Sequence, residues 1–205
     1  MTNPPKKRGR PREFDPAVAL VSAGKTFLRH GYTGTSVEAL SSEMKLAKPS
    51  LYAAFGDKHA LYMGVLEARY RMVAERYHAA FEKGRTLEES LRRMFDEAVE
   101  VSLGVDGGPP GCPIVAATIT EGLLDEEIGE FTRRFRVQTD KGLARWIRSR
   151  LRREVDASAE ALGRLANGIL HDMALRARVG EPRAKLREIA RDAARVLALA
   201  AGETV

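Results

Sequence analysis

The sequence predicts an all-α protein of about nine helices, with an N-terminal three-helix helix-turn-helix domain and a C-terminal helical domain behind it. Three observations predict this. Apolar residues recur at helical spacing along most of the chain, no alternating strand pattern persists, and the breaks fall at glycine, proline and capping residues. The 205 residues are 44% hydrophobic and 30% charged, which suffices to bury a core in one domain or two small ones.

The first helix is expected over Pro16–His30, with Asp15 as N-cap and Pro16 at the first turn. Ala17, Leu20, Val21, Phe27 and Leu28 share one face, and Gly31 ends it. A short helix from about Ser36 to Met44 buries Val37, Leu40 and Met44. After the connector Lys45-Leu46-Ala47, a second short helix spans Lys48 to Phe55 and buries Leu51 and Phe55. Asp57 then caps a long helix from Lys58 to about Lys83, and Thr86 caps another to about Leu103. Gly104 to Pro113 is a breaker-rich loop. Helical spacing resumes over 114–124, 126–153, 157–179 and 183–200.

Charge is distributed unevenly. The net charge of +6 includes +5 from Lys6, Lys7, Arg8, Arg10 and Arg12 in residues 1–12, whereas residues 13–70 sum to zero. This Pro- and Gly-containing arm has no periodic pattern and is expected to be disordered in isolation and to seek a polyanion. Arg8-Gly9-Arg10-Pro11-Arg12 resembles the core of an AT-hook, in which arginines enter a narrow minor groove; a solubilising terminus is the plainer reading. The lone Cys112 precludes an internal disulfide and fits a reducing, cytoplasmic setting. The longest uncharged run, Gly107–Thr120, has 14 residues and three prolines, too short to span a bilayer, so no membrane partner is expected. No signal peptide is visible.

Two helices of eight or nine residues are marginal alone and make sense when the first helix covers them. In a helix-turn-helix the second short helix enters the major groove with its N-terminal residues at base edges. Here those residues are Lys48, Pro49 and Ser50, with Tyr52 and Ala53 one turn on. Lysine reaches a guanine edge or a phosphate, serine donates or accepts at either, tyrosine offers a hydroxyl to a phosphate, and proline packs on a thymine methyl.

The segment Thr35-Ser36-Val37-Glu38-Ala39-Leu40 followed by Leu46-Ala47-Lys48-Pro49-Ser50-Leu51-Tyr52-Ala53-Ala54-Phe55-Gly56-Asp57-Lys58 resembles the DNA-binding domain of the tetracycline-repressor (TetR/AcrR) family. Ala23, Phe27, Gly31-Tyr32 and Thr35 extend the match over about residues 13–65. The resemblance implies a dimeric, ligand-responsive transcriptional repressor on a double-stranded DNA operator, without a cofactor or metal. Its sensing and dimerisation domain would occupy residues 66–205. It also implies that Tyr52 and Lys58 clamp backbone phosphates and that Thr35 and Ser36 lie at the DNA. The sequence departs from the family at Lys45 (usually Gly), Ala47 (often Ser) and Ala53 (often larger). The first requires a left-handed lysine or a different turn, the second removes an N-cap, and the third reduces base reading.

For the effector, Phe81, Met94, Phe95, Val99, Ile119, Leu123 and Trp146 are the expected pocket lining, although such a stripe is also what plain core looks like. Cys112 precedes a helix beginning at Pro113, a position where a helix dipole favours a thiolate, and is either a thiol sensor or a structural cysteine. Leu162, Ala166, Ile169 and Met173, with Leu186, Ile189, Ala193 and Val196, form two stripes that would pair with a second chain or face their own core.

Catalysis finds no constellation. His30, His59, His78 and His171 are scattered without zinc-ligand spacing, and there is no phosphate loop or nucleophile elbow. An architectural nucleic-acid-binding protein using the basic arm is the alternative, though acids interleave the arginines of residues 133–153.

Overall fold

A computed structural model describes residues 14–104, 107–151 and 158–203, and all the regular structure among them is helical. The order is α1 (Pro16–His30), α2 (Val37–Met44), α3 (Lys48–Phe55), α4 (Lys58–Phe81), α5 (Leu87–Ser102), α6 (Pro113–Thr120), α7 (Glu126–Arg148), α8 (Ala159–Arg178) and α9 (Arg183–Ala200). The basic arm, with Arg8, Arg10 and Arg12, lies outside the described residues.

Side-chain caps fix most helix starts. Asp15 accepts from the Ala17 N–H at 2.8 Å, Ser36 from Ala39 at 3.1 Å, Asp57 from Ala60 at 2.8 Å and Asp125 from Ile128 at 3.0 Å. Two ends differ from the sequence expectation. Helix α6 stops at Thr120 because Gly122 folds back, its N–H donating to the Ala117 carbonyl at 2.9 Å, before Asp125 starts α7. Helix α7 stops at Arg148, where the Ser149 hydroxyl donates to the Trp146 carbonyl at 2.7 Å.

Of the two courses open to the turn between α2 and α3, the structure takes the left-handed one. Lys45 sits at φ 54°, ψ 38°, the only non-glycine residue at positive φ among those described. Left-handed backbone costs an L-residue roughly 1–2 kcal/mol. Lys45→Gly is therefore expected to stabilise the protein by about 0.5–1 kcal/mol, the relief exceeding glycine's larger unfolded-state entropy. Urea unfolding monitored by circular dichroism reads this; an unchanged or lower midpoint would contradict it.

Two apolar clusters form. One joins α5, α7, α8 and α9 around Phe95, Met94, Leu91 and Ile147. The other holds α1–α4 around Phe27, Leu40, Leu51 and Tyr62, and it also takes in Ile114 and Ala117 of α6 and Ile128, Phe131 and Phe135 of α7. The N-terminal helices thus share their core with the C-terminal ones. Helix α4 enters both clusters, through Leu61, Val65 and Leu66 at one end and Phe81 at the other.

Candidate functional site

Leu51 is fully buried beneath α3, while Lys48, Pro49, Ser50, Tyr52 and Ala53 all face solvent. A short helix anchored by Leu51 thus presents a nearly continuous exposed face of mixed polar and small apolar side chains. Ala47 caps it with no side-chain bond. In compensation, the Ser41 hydroxyl donates to the Leu46 carbonyl and steadies the turn.

The flanking residues also make contacts within the chain. Thr35 is buried, and its hydroxyl donates to the Gly31 carbonyl at 2.6 Å, so it closes the α1–α2 turn and does not face outward. Ser36 is exposed but spends its oxygen on capping α2. Lys58 donates to the carbonyls of Tyr32 at 3.1 Å and Thr35 at 3.2 Å, and lies 4.4 Å from the centroid of the Tyr32 ring. Its ammonium ties α4 to the α1–α2 turn. Lys48 pairs with Glu38 of α2, and this contact lowers the Glu38 pKa and raises that of Lys48. Sequence reasoning missed Glu38 as a partner, since spacing alone does not bring residues on two helices together.

The helix-turn-helix is bolted to the C-terminal helices at two points. His59 lies 3.0 Å from Asp125 at the start of α7, and the buried Tyr62 hydroxyl donates to Glu121 at 3.4 Å. The backbone N–H of Ile128, and secondarily His59, holds Asp125 below the ordinary carboxylate range.

A largely apolar cavity of about 90 Å³ lies among α4, α5, α6, α7 and α8. Tyr70, Val73, Tyr77, Phe135, Trp146 and Leu170 supply apolar walls; Arg69, Asn167, His171 and Cys112 supply polar atoms. Of the seven residues expected to line a pocket, only Trp146 does so. Phe81, Met94, Phe95 and Val99 have no exposed surface and belong to the core cluster. Ile119 and Leu123 are 64% and 96% exposed, because α6 ends before the turn that would have carried Leu123 inward. Periodicity marks the buried face of α5 but does not separate solid core from cavity wall. Cys112 is the N-cap of α6, half-buried.

Burial pushes the His171 pKa down, Arg136 adds to this, and Asp140 opposes it. The folded pKa then lies below the unfolded value of about 6.5, so the unfolded chain takes up the proton first as pH falls. Stability is expected to be retained above about pH 6.5 and to decline as pH falls below it. A His171→Gln variant should show a shallower decline in melting temperature between about pH 7 and 5. Parallel curves for the two proteins would refute this.

The stripes proposed for chain pairing are mostly spent within the chain. Leu162, Ala166, Met173 and Leu186 are buried in its own core, and Ile169, Ile189 and Ala193 are half-buried against it. Close packing of α8 on α7 accounts for this. A Cβ at Gly163 would meet the Ala144 nitrogen at 2.8 Å, so that glycine serves contact within the chain. Of the expected set Val196 alone is well exposed, at 63%; Leu165 and Leu175 on α8, Val179 just after it and Leu199 on α9 are exposed as well.

Residues 19–64 match the family model for bacterial regulatory proteins of the tetR family. The chain is 30% identical over 190 residues to the HTH-type transcriptional repressor ComR of Escherichia coli strain K12, covering 90% of each. The chain belongs to the TetR family. A second relative is the HTH-type regulator YezE of Bacillus subtilis strain 168, 32% identical over 62% of this chain and 64% of that one. Among solved structures of the TetR family, CifR with a 26-bp double-strand operator superimposes with a TM-score of 0.79 at 26% identity, covering 91% of this chain and 98% of CifR. A TetR regulator from Chloroflexus aurantiacus shares the fold at 18% identity and a TM-score of 0.72 over 87% and 92%. The chain is a TetR-family transcription regulator, not an enzyme. Among the described residues, no cluster of three or more His, Cys, Asp or Glu side chains could hold a metal, and no helix is long and apolar enough to cross a membrane.

Proposed function

We propose that this regulator is a cytoplasmic repressor that binds an inverted-repeat operator as a homodimer and is released by a small molecule. The observation that carries the reading is α3, with Lys48, Pro49, Ser50, Tyr52 and Ala53 exposed over a buried Leu51. That face has the chemistry and length to enter a major groove. The operator-bound state of CifR and the naming of ComR as a repressor support it. Residues 13–65 form the DNA-reading unit, residues 66–205 the sensing and pairing unit, and the arm through residue 12 adds phosphate or minor-groove contacts by Arg8, Arg10 and Arg12.

Pairing runs through the outer face of α8 and α9, where Leu165, Leu175, Val196 and Leu199 stand in solvent. The effector occupies the cavity beside Trp146. Lys48 reaches DNA by exchanging the Glu38 carboxylate for a phosphate or a guanine edge, and Lys58 supports the interface by holding the α1–α2 turn.

Selection of bound duplexes from a random pool tests the reading. An inverted repeat with half-sites about one helical turn apart is the expected result. A preference below about 10³-fold over random DNA would favour an architectural binder instead. Cys112 lines the cavity, which makes it a thiol within reach of any bound electrophile. If it senses, Cys112→Ser abolishes operator release by electrophiles while leaving DNA affinity unchanged; equal release from both proteins makes the cysteine structural.

A further inference from the structure

Among the described residues, three buried side-chain polar atoms lack a hydrogen-bond partner: Arg69 Nε, Asn167 Oδ1 and His171 Nε2. All three residues line the same cavity. Buried polar groups are paired in the great majority of cases, so their convergence on one apolar space is an unspent recognition pattern. Each has its other polar function engaged or constrained. Arg69 donates through Nη2 to the Val101 carbonyl at 3.1 Å. Asn167 donates through Nδ2 to Asp140 at 2.8 Å, which fixes the amide orientation and leaves its oxygen as an acceptor. Burial favours the neutral form of His171.

The two ends of the cavity differ in kind. Asn167 and His171 are four residues apart on α8 and project from one wall, whereas Arg69 comes from α4. The α8 end holds an acceptor and a neutral imidazole beside the Asp140 carboxylate, which is itself paired with Arg136 at 3.7 Å, so this end offers an anion no free cation. The α4 end holds a cation with a free N–H. Between them stand Tyr77, Phe135, Trp146 and Leu170. The Phe135 and His171 rings lie 6.3 Å apart with an interplanar angle of 20°, a flat wall. The volume of about 90 Å³ is below the ~150 Å³ of an engineered cavity that accepts benzene, so even a single ring enters only as the walls widen, and nothing larger than one ring is accommodated.

We propose that the effector is a monocyclic aromatic acid carrying a hydroxyl, its carboxylate on Arg69 and its hydroxyl donating to Asn167 Oδ1 beside His171. This rests on the reading of the cavity as the effector site.

Trp146, the only tryptophan of the chain, lines the cavity and reports occupancy by fluorescence. The full-length protein, without DNA, is titrated with 4-hydroxybenzoate, benzoate, phenol and toluene. Saturable quenching by 4-hydroxybenzoate, with a Kd at least about tenfold below those of benzoate and phenol, is expected, because each analogue leaves one buried polar group unpaired. Arg69→Met should erase the advantage over phenol, and Asn167→Leu the advantage over benzoate. Arg69→Lys should keep the preference for the acid. Absence of saturation by 4-hydroxybenzoate at about 10 mM, or toluene binding as tightly, overturns the proposal on the unmodified protein, so no variant's folding decides it. Because the titration omits DNA, a failed titration alongside a selected inverted repeat refutes the effector class alone. Specific binding without a selected repeat refutes the repressor reading alone.

Discussion

Replacing Val196 with arginine is expected to yield monomers and to weaken operator binding by at least about 100-fold. The valine is 63% exposed on α9, one helical turn from the exposed Leu199, and Leu165 and Leu175 are exposed on α8. An apolar face of this kind, on two adjacent helices, suits an isologous four-helix contact in which each chain's stripe meets its partner's. A charge near the symmetry axis meets its own copy and is desolvated without a partner. Loss of the dimer turns one bivalent engagement into two independent ones, and the avidity forfeited in such cases is about 10²–10⁴-fold. Sedimentation velocity reads the oligomer and fluorescence anisotropy reads the DNA affinity. A variant that stays dimeric would place the interface elsewhere. Leu162→Ala, by contrast, should cost stability and not pairing, since that side chain is already buried within its own chain.

Phe95→Ala should destabilise the fold by about 3–5 kcal/mol, the cost of removing a buried aromatic ring and leaving a void. The ring has no exposed surface and sits among Leu91, Met94 and Val99 in the cluster that joins α5 to α8 and α9. Effector affinity, measured well below the melting temperature, should change little, because Phe95 does not border the cavity near Trp146. Urea unfolding and Trp146 fluorescence separate the two effects. A large loss of affinity with unchanged stability would instead make Phe95 a cavity wall.

The fold was legible where local chemistry decides it. Asp15, Asp57 and Thr86 are helix starts readable from the sequence, and each makes the expected bond. The exposed face of α3 followed from the spacing of Leu51 against its neighbours, and the left-handed turn at Lys45 from a lysine standing where glycine is expected. What escaped was whatever depends on which helix meets which. An apolar stripe on α8 carries no mark saying whether α7 or a second chain will cover it, and α7 does so at Gly163. Likewise, Arg69, Asn167 and His171 are ordinary polar residues in sequence. They become a group only when α4 and α8 enclose a space between them. Thr35, expected at the DNA, and Lys58, expected at a phosphate, also bond within the turn at Gly31, Tyr32 and Thr35, contacts that spacing along the chain does not foretell.

The 24 residues of α4 give it the proportions of a lever about 36 Å long. Its far arm carries Lys58, clamped to the turn that carries α2 and α3, while Arg69, Val73 and Tyr77 touch the cavity. With a fulcrum near Val73, a tilt of about 5° sweeps Lys58, roughly 22 Å away, through roughly 2 Å. In the proposed dimer, two such movements in opposite senses change the separation of the recognition helices by about 4 Å, longer than a whole base-edge hydrogen bond of about 2.7–3.2 Å. A small displacement at the cavity is therefore mechanically large enough to decide between two spacings of the proposed dimer, without any helix having to unwind.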